Sequence, residues 1–106
     1  MRIVTNADDF GASPDTVAET IACFERGALT SATIMVAVSE TQAAIEYARN
    51  HPEHGFGVHL QLVGDGIERP VSDPGAVPSL VDADGLMLST GIVRKRAMLG
   101  RLSSVE

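Results

Sequence analysis

Cysteine, positive charge and long apolar runs are all scarce in this chain, and each scarcity removes a class of function. Cys23 is the single cysteine among 106 residues, so no internal disulfide can form and no cysteine metal cluster can be built. Its place in an apolar helical pattern marks it as a buried structural thiol rather than a nucleophile. Eight Lys and Arg stand against fourteen Asp and Glu, a formal net charge of −6. That balance argues against binding nucleic acid by phosphate neutralisation, which needs clustered cations. The basic residues that do exist gather at Arg94-Lys95-Arg96 and Arg101, the pattern of a solvated helix face. No stretch approaches the roughly 20 apolar residues of a membrane span. Met1 to Thr5 runs straight into polar Asn6 with no apolar signal segment, so a cytoplasmic protein is expected. Neither GxGxxG nor GxxxxGK follows a strand-like segment, which leaves nucleotide binding unsupported. Ser13 and Ser31 lack the strand-turn-helix context of a nucleophilic serine.

What is present is an ordinary globular composition, 44% hydrophobic and 21% charged, in a chain long enough for one domain at most. Arg2 to Thr5 is a short β-rich run that should form a first strand ending at Asn6 or soon after. Ser13, Pro14 and Asp15 supply an N-cap hydroxyl, a first-turn proline and a first-turn acid. Val17, Ile21 and Phe24 continue at helical spacing to a stop at Gly27. Residues 31–38 are continuously apolar or β-branched, the look of a strand buried on both faces, as in a parallel sheet. Ser39 and Gln42 have capping-box spacing, and a second helix runs to about Asn50 before Pro52 ends it. Residues 56–62 read as a third strand. Strand, helix, strand, helix, strand implies right-handed βαβ crossovers and a parallel α/β sheet, doubly wound or the opening of a barrel. Beyond Gly64, a Gly- and Pro-rich stretch reads as a lid or binding loop, and a last helix is expected from about Thr90 to Leu102.

In such sheets ligands gather beyond the C-terminal ends of the strands. Asp8 and Asp9 fall at that end of the first strand, where two adjacent carboxylates repel and call for a cation, a metal or a proton, or else cap the following loop. His59, near the end of the third strand, shares that rim, and imidazole with carboxylate is a common ligand set for divalent ions. His51 and His54 lie at the opposite rim, where side chains mostly serve stability. Both are expected to be bystanders.

Four segments, Asn6-Ala7-Asp8-Asp9-Phe10-Gly11, Gly27 to Thr33, Gly57-Val58-His59-Leu60, and Val77 to Asp82 with Gly85, resemble in type and order the N-terminal part of the YdjC-like carbohydrate deacetylases. That family includes chitooligosaccharide deacetylases and hopanoid-biosynthesis-associated enzymes. The resemblance implies a (β/α) barrel-like fold and one bound divalent cation, magnesium or zinc. It also implies hydrolysis of an N-acetyl group from an acetamido sugar such as an N-acetylglucosamine oligomer. It carries Asp9 and His59 over as metal ligands and Asp8 as the general base. Family members are more than twice as long and draw a further metal histidine from a later Asp-x-His-x-His segment, whereas no histidine follows His59 here. Residues 1–106 are therefore expected to form a partial deacetylase domain, the N-terminal portion, with a poorly held cation and doubtful activity alone. An unpaired strand edge in such a piece could be covered by a second copy of the chain.

Two other readings compete. A receiver-type phospho-acceptor domain also places an acidic pair after its first strand and binds a divalent ion, but it needs an aspartate where His59 stands. A non-catalytic remnant of the deacetylase fold would keep the motifs without the chemistry.

Overall fold

The computed structural model describes residue 1, residues 3–64 and residues 66–103. The chain divides into two compact units, Met1–Leu60 and Gln61–Glu106. The first holds β1 (Asn6–Phe10), α1 (Pro14–Glu25), β2 (Ser31–Met35), α2 (Thr41–Asn50) and β3 (Gly55–His59). Its strands form a parallel sheet in the order β1-β2-β3, so each βαβ step moves to the next position. That sequential order is how a barrel wall is built, and it contains no switch point.

Local chemistry explains the first helix. Ser13 Oγ accepts from the Thr16 N–H at 3.1 Å, and the Ser13 N–H donates to Thr16 Oγ1 at 2.8 Å, a reciprocal cap with Pro14 at the first helical position. The helix ends in a Schellman turn. Ala28 N–H donates to Cys23 C=O and Gly27 N–H to Phe24 C=O, both at 2.9 Å, while Gly27 takes φ +69°.

Other expectations shift. The first strand is not Arg2 to Thr5 but Asn6–Phe10, with Ile3 and Val4 exposed; Arg2 itself lies outside the described residues. Pairing begins at the Thr5 carbonyl, which accepts from Thr30 N–H and Ser31 N–H, so the polar residues are the ones held in the ladder. The capping box at Ser39 does not form, and Glu40 is the N-cap of α2 without a side-chain bond. Thr41 Oγ1 bonds the Met35 and Val38 carbonyls instead, which closes the turn after β2. β2 is also shorter than expected: Ala32 and Ile34 are buried on one face, while on the other Met35 is buried and Ser31 and Thr33 are half-buried.

Phe10, Phe24, Ala32, Ile34 and Ala44 form the core, with Val17, Ile21, Tyr47 and Phe56 packed against it. All three phenylalanines and the one tyrosine of the chain meet there. Phe10 lies edge-on to Tyr47 at 5.9 Å, and Phe24 is 5.8 Å from Tyr47 and 5.5 Å from Phe56. Cys23 is half-buried on α1.

The second unit packs around Val81, Met87 and Leu88. Asp82 Oδ1 accepts from Asp84 N–H and Leu86 N–H at 2.9 Å each, and Val81 bridges Met87 in antiparallel fashion. The expected loop is thus a set of hydrogen-bonded turns, with a 3₁₀ turn at Pro74–Ala76. Helix α3 (Thr90–Met98) is shorter than its apolar pattern implies, because Gly100 takes φ +62° and Arg101 N–H closes on Arg96 C=O at 2.8 Å. Within the basic cluster, Arg96 is tied to the Ser79 carbonyl at 2.7 Å. No helix among the described residues is long and apolar enough to cross a membrane.

Gly11, just after β1, passes close to the start of α2. It takes φ +99°, and a Cβ there would stand 3.3 Å from both Ala44 Cβ and Glu40 O. Gly11→Ala is expected to destabilise the first unit by about 1–3 kcal/mol through backbone strain and crowding. The readout is a lower urea midpoint at unchanged slope; an unshifted midpoint would show that this approach does not constrain the fold.

Candidate functional site

Register builds the site. Ala7 pairs with Ala32 and Phe10 with Ile34, so three steps along β1 match two along β2 and one extra residue is inserted between them. Strict alternation would turn Asp9 toward the helices and Phe10 away from them. With the insertion Phe10 is fully buried, and both carboxylates are left on the stretch opposite Thr33. Asp9 takes φ +62°, a left-handed conformation that aspartate tolerates better than most L-residues. β3 ends level with this feature, since Met35 pairs with His59.

A polar chain crosses all three strands on the face away from the helices. Ser31 Oγ donates to Asn6 Oδ1 at 2.8 Å, and Asn6 Nδ2 donates to Asp8 Oδ1 at 2.9 Å. Thr33 Oγ1 donates to the same Asp8 oxygen at 2.8 Å and lies 3.1 Å from His59 Nδ1. His59 Nε2 faces Asp9 Oδ1 at 3.4 Å.

Hydrogen counting fixes the imidazole. A threonine hydroxyl has one hydrogen, and an ionised carboxylate can only accept. Thr33 therefore gives its hydrogen to Asp8 and must accept from His59, so Nδ1 carries the ring hydrogen. In the neutral ring Nε2 is then a bare lone pair, and it points at a carboxylate oxygen that is also an acceptor. In that form of the ring two acceptors face each other across 3.4 Å, which is wide for a hydrogen bond. Two ligands on one tetrahedral zinc-like ion, about 2.05 Å from it, stand about 3.4 Å apart. The donor set and its spacing thus fit a divalent ion held by Asp9 and His59. Burial does not demand that ion: Asp8 and Asp9 are both exposed, so water screens their repulsion. The arrangement of the acceptors, rather than desolvation, is what points to a cation.

Asp8, Asp9 and His59, the three residues singled out from sequence, are brought together. Thr33, Asn6 and Ser31 were missed, although their period-two polarity along β1 and β2 is visible once the strands are bounded. His51 and His54 precede β3 at its other end and take no part in this cluster.

Comparison with known proteins shows what the chain is similar to. A sequence model described as YdjC-like protein matches residues 2–106. A protein of Brevibacillus brevis named carbohydrate deacetylase is 39% identical over 85 residues, covering 80% of this chain and 32% of that protein. Another of that name from Geobacillus stearothermophilus is 39% identical over 82 residues, covering 77% of this chain and 31% of that protein. Among solved structures, a protein from Enterococcus faecalis described as a candidate cellobiose-phosphate cleavage protein superposes with a TM-score of 0.77 at 34% identity. That match covers 87% of this chain and 35% of the other. The chain therefore spans about a third of the length of the relatives it matches. A sheet of three sequential parallel strands that superposes on one such relative, together with a family match running from residue 2 to residue 106, makes the chain a member of the YdjC-like protein family.

Proposed function

We propose that this segment carries the metal-binding corner of a carbohydrate N-deacetylase acting on acetamido sugars such as N-acetylglucosamine oligomers. The observation that supports it most is the pair of facing acceptors, His59 Nε2 and Asp9 Oδ1, with the imidazole tautomer set by Thr33. The name carbohydrate deacetylase on the relatives supports a carbohydrate substrate. Asp9 and His59 are the residues that would hold the cation. Magnesium favours oxygen ligands and zinc accepts nitrogen, so a histidine in the set leans toward zinc. When bound, such an ion lowers the pKa of a water and polarises the amide carbonyl.

The chain's own residues have separate tasks. Asp8 is the general base: its hydrogen bonds to Asn6 and Thr33 both fall on Oδ1, which leaves Oδ2 to take a proton from the attacking water. Thr33 orients Asp8 and His59 together and keeps Nε2 free of hydrogen. Asn6 braces Asp8 from the other side, and Ser31 in turn fixes the Asn6 amide. A further ligand beyond Asp9 and His59 would complete the set.

Tests belong on a protein in which this segment is joined to the rest of the family fold. Acetate release from N-acetylglucosamine oligomers should stop with a chelator, and Asp9→Ala or His59→Ala should lower it by more than about 100-fold, beyond the range for outer partners of a metal ligand. Activity untouched by both substitutions would refute the site. Asp8→Asn keeps an oxygen for Thr33 and Asn6 but removes the base, so kcat should fall about 10²–10⁴-fold with metal affinity unchanged. Lost metal affinity with normal turnover of the loaded protein would instead exchange the roles of Asp8 and Asp9. Thr33→Val removes the bridge without changing shape and should weaken metal affinity about 10–100-fold, measured by competition with a chromogenic chelator.

A further inference from the structure

The connection between α2 and β3, His51-Pro52-Glu53-His54, carries a cluster that the deacetylase chemistry does not use. His51 Nδ1 lies 3.0 Å from Glu53 Oε1, and His54 Nε2 lies 3.8 Å from the same oxygen. One ligand atom from each residue falls within 4.8 Å of the others. The second distance is too long for a hydrogen bond, so His54 is set beside the carboxylate without bonding it.

Three features hold these donors in place. Pro52 restricts the backbone, and His54 N–H donates to His51 C=O at 3.2 Å, which closes the turn. The His51 ring stacks on Tyr47 of α2 at 4.1 Å, and the His54 ring stacks on Phe24 of α1 at 4.4 Å. Glu53 keeps its charge: its own backbone N–H, and then the His51 hydrogen bond, hold the carboxyl below the usual range. Stacking accounts for the rings as packing groups, but it does not account for their nitrogens converging on one carboxylate oxygen.

We propose that His51 Nδ1, Glu53 Oε1 and His54 Nε2 form a second divalent-ion site, suited to zinc or a similar borderline transition ion. Two imidazoles and one carboxylate are a zinc donor set with a fourth position left for water, whereas magnesium requires oxygen ligands. On binding, the ion replaces the hydrogen that His51 Nδ1 shares with Glu53, and that proton goes to solvent. The site is separate from the Asp9–His59 pair, since Gly55 to His59 alone spans about 13 Å of strand. Its role is structural: through the stacked rings it ties the start of β3 to both helices.

The chain has only three histidines, so nitrogen NMR of the rings can follow each one during a Zn²⁺ titration. In the His59→Ala chain, one Zn²⁺ per chain should shift the His51 and His54 ring nitrogens, while Mg²⁺ at the same concentration leaves them unmoved. Glu53→Gln should weaken that response at least ~10-fold, and His51→Ala should abolish the one-to-one binding. Both side chains are well exposed, at 59% and 39%, so these changes spare the core, and far-UV circular dichroism checks that the fold is kept. Rings that do not respond to Zn²⁺ in the His59→Ala chain would overturn the proposal, as would unchanged affinity and stoichiometry in Glu53→Gln and His51→Ala. Because His59 is absent from the decisive titration, failure here leaves the deacetylase reading untouched.

Discussion

The extra residue in β1 opposite Thr33 is the constraint on which both the core and the candidate site depend. A strand alternates its side chains, so Ala7 on the helix side would put Asp9 there as well and leave Phe10 on the polar face. One inserted residue reverses the outcome. Phe10 returns to the helix side, where it is fully buried and meets Tyr47 and Phe56. Burying a phenylalanine is worth about 1.5–3 kcal/mol, whereas a left-handed residue such as Asp9 costs roughly 1–2 kcal/mol. Core packing is thus large enough to offset the strain, and the acidic pair is displaced onto one rim as a consequence. Ala37, with φ +60°, shows the same left-handed turn beyond β2, so the strand ends of this rim are where the backbone departs from regular geometry.

That displacement would be of little use without Thr33. Asp8 and Asp9 differ in their surroundings although they are adjacent. Asp8 is tied through one oxygen to Thr33 and Asn6, and Asp9 is left beside a ring nitrogen. A single hydroxyl hydrogen makes the difference, because giving it to Asp8 obliges His59 to supply the next one and to keep its far nitrogen bare. The proposed division into base and ligand thus follows from the position of one β-branched residue on the central strand. An exposed pair of carboxylates lacking this partner would be a solvated surface feature and nothing more.

How much of this could be read from the residues depended on whether the signal was local. The cap at Ser13 and the stop at Gly27 were legible because each acts within a few residues. So was the βαβ order, which hydrophobic runs and proline punctuation set. β1 was misplaced by several residues because Ile3 and Val4 look like a strand, while the actual strand is polar and is held by pairing with β2. Ser39 had the right spacing for a capping box, yet Thr41 won by reaching the Met35 and Val38 carbonyls. Asp8, Asp9 and His59 are candidates by residue type and by their place at strand ends. Thr33 is not, since a threonine inside an apolar run has meaning only after the register of three strands is known.

The three histidines carry this point further. His59 is held by a hydrogen bond that it donates to the central strand, whereas His51 and His54 are held by the faces of Tyr47 and Phe24. A hydrogen bond at one nitrogen specifies which atom of the ring is available, but a stacking contact fixes the plane and leaves the tautomer open. His51 regains that information only through Glu53, which can accept but never donate. The two ends of β3 therefore converge on one chemical device, an imidazole whose hydrogen is assigned by a neighbouring acceptor. They reach it by different means, a sheet register at one end and a four-residue turn at the other. A turn can be altered without disturbing the sheet, so the two ends are free to vary independently within the same small α/β unit.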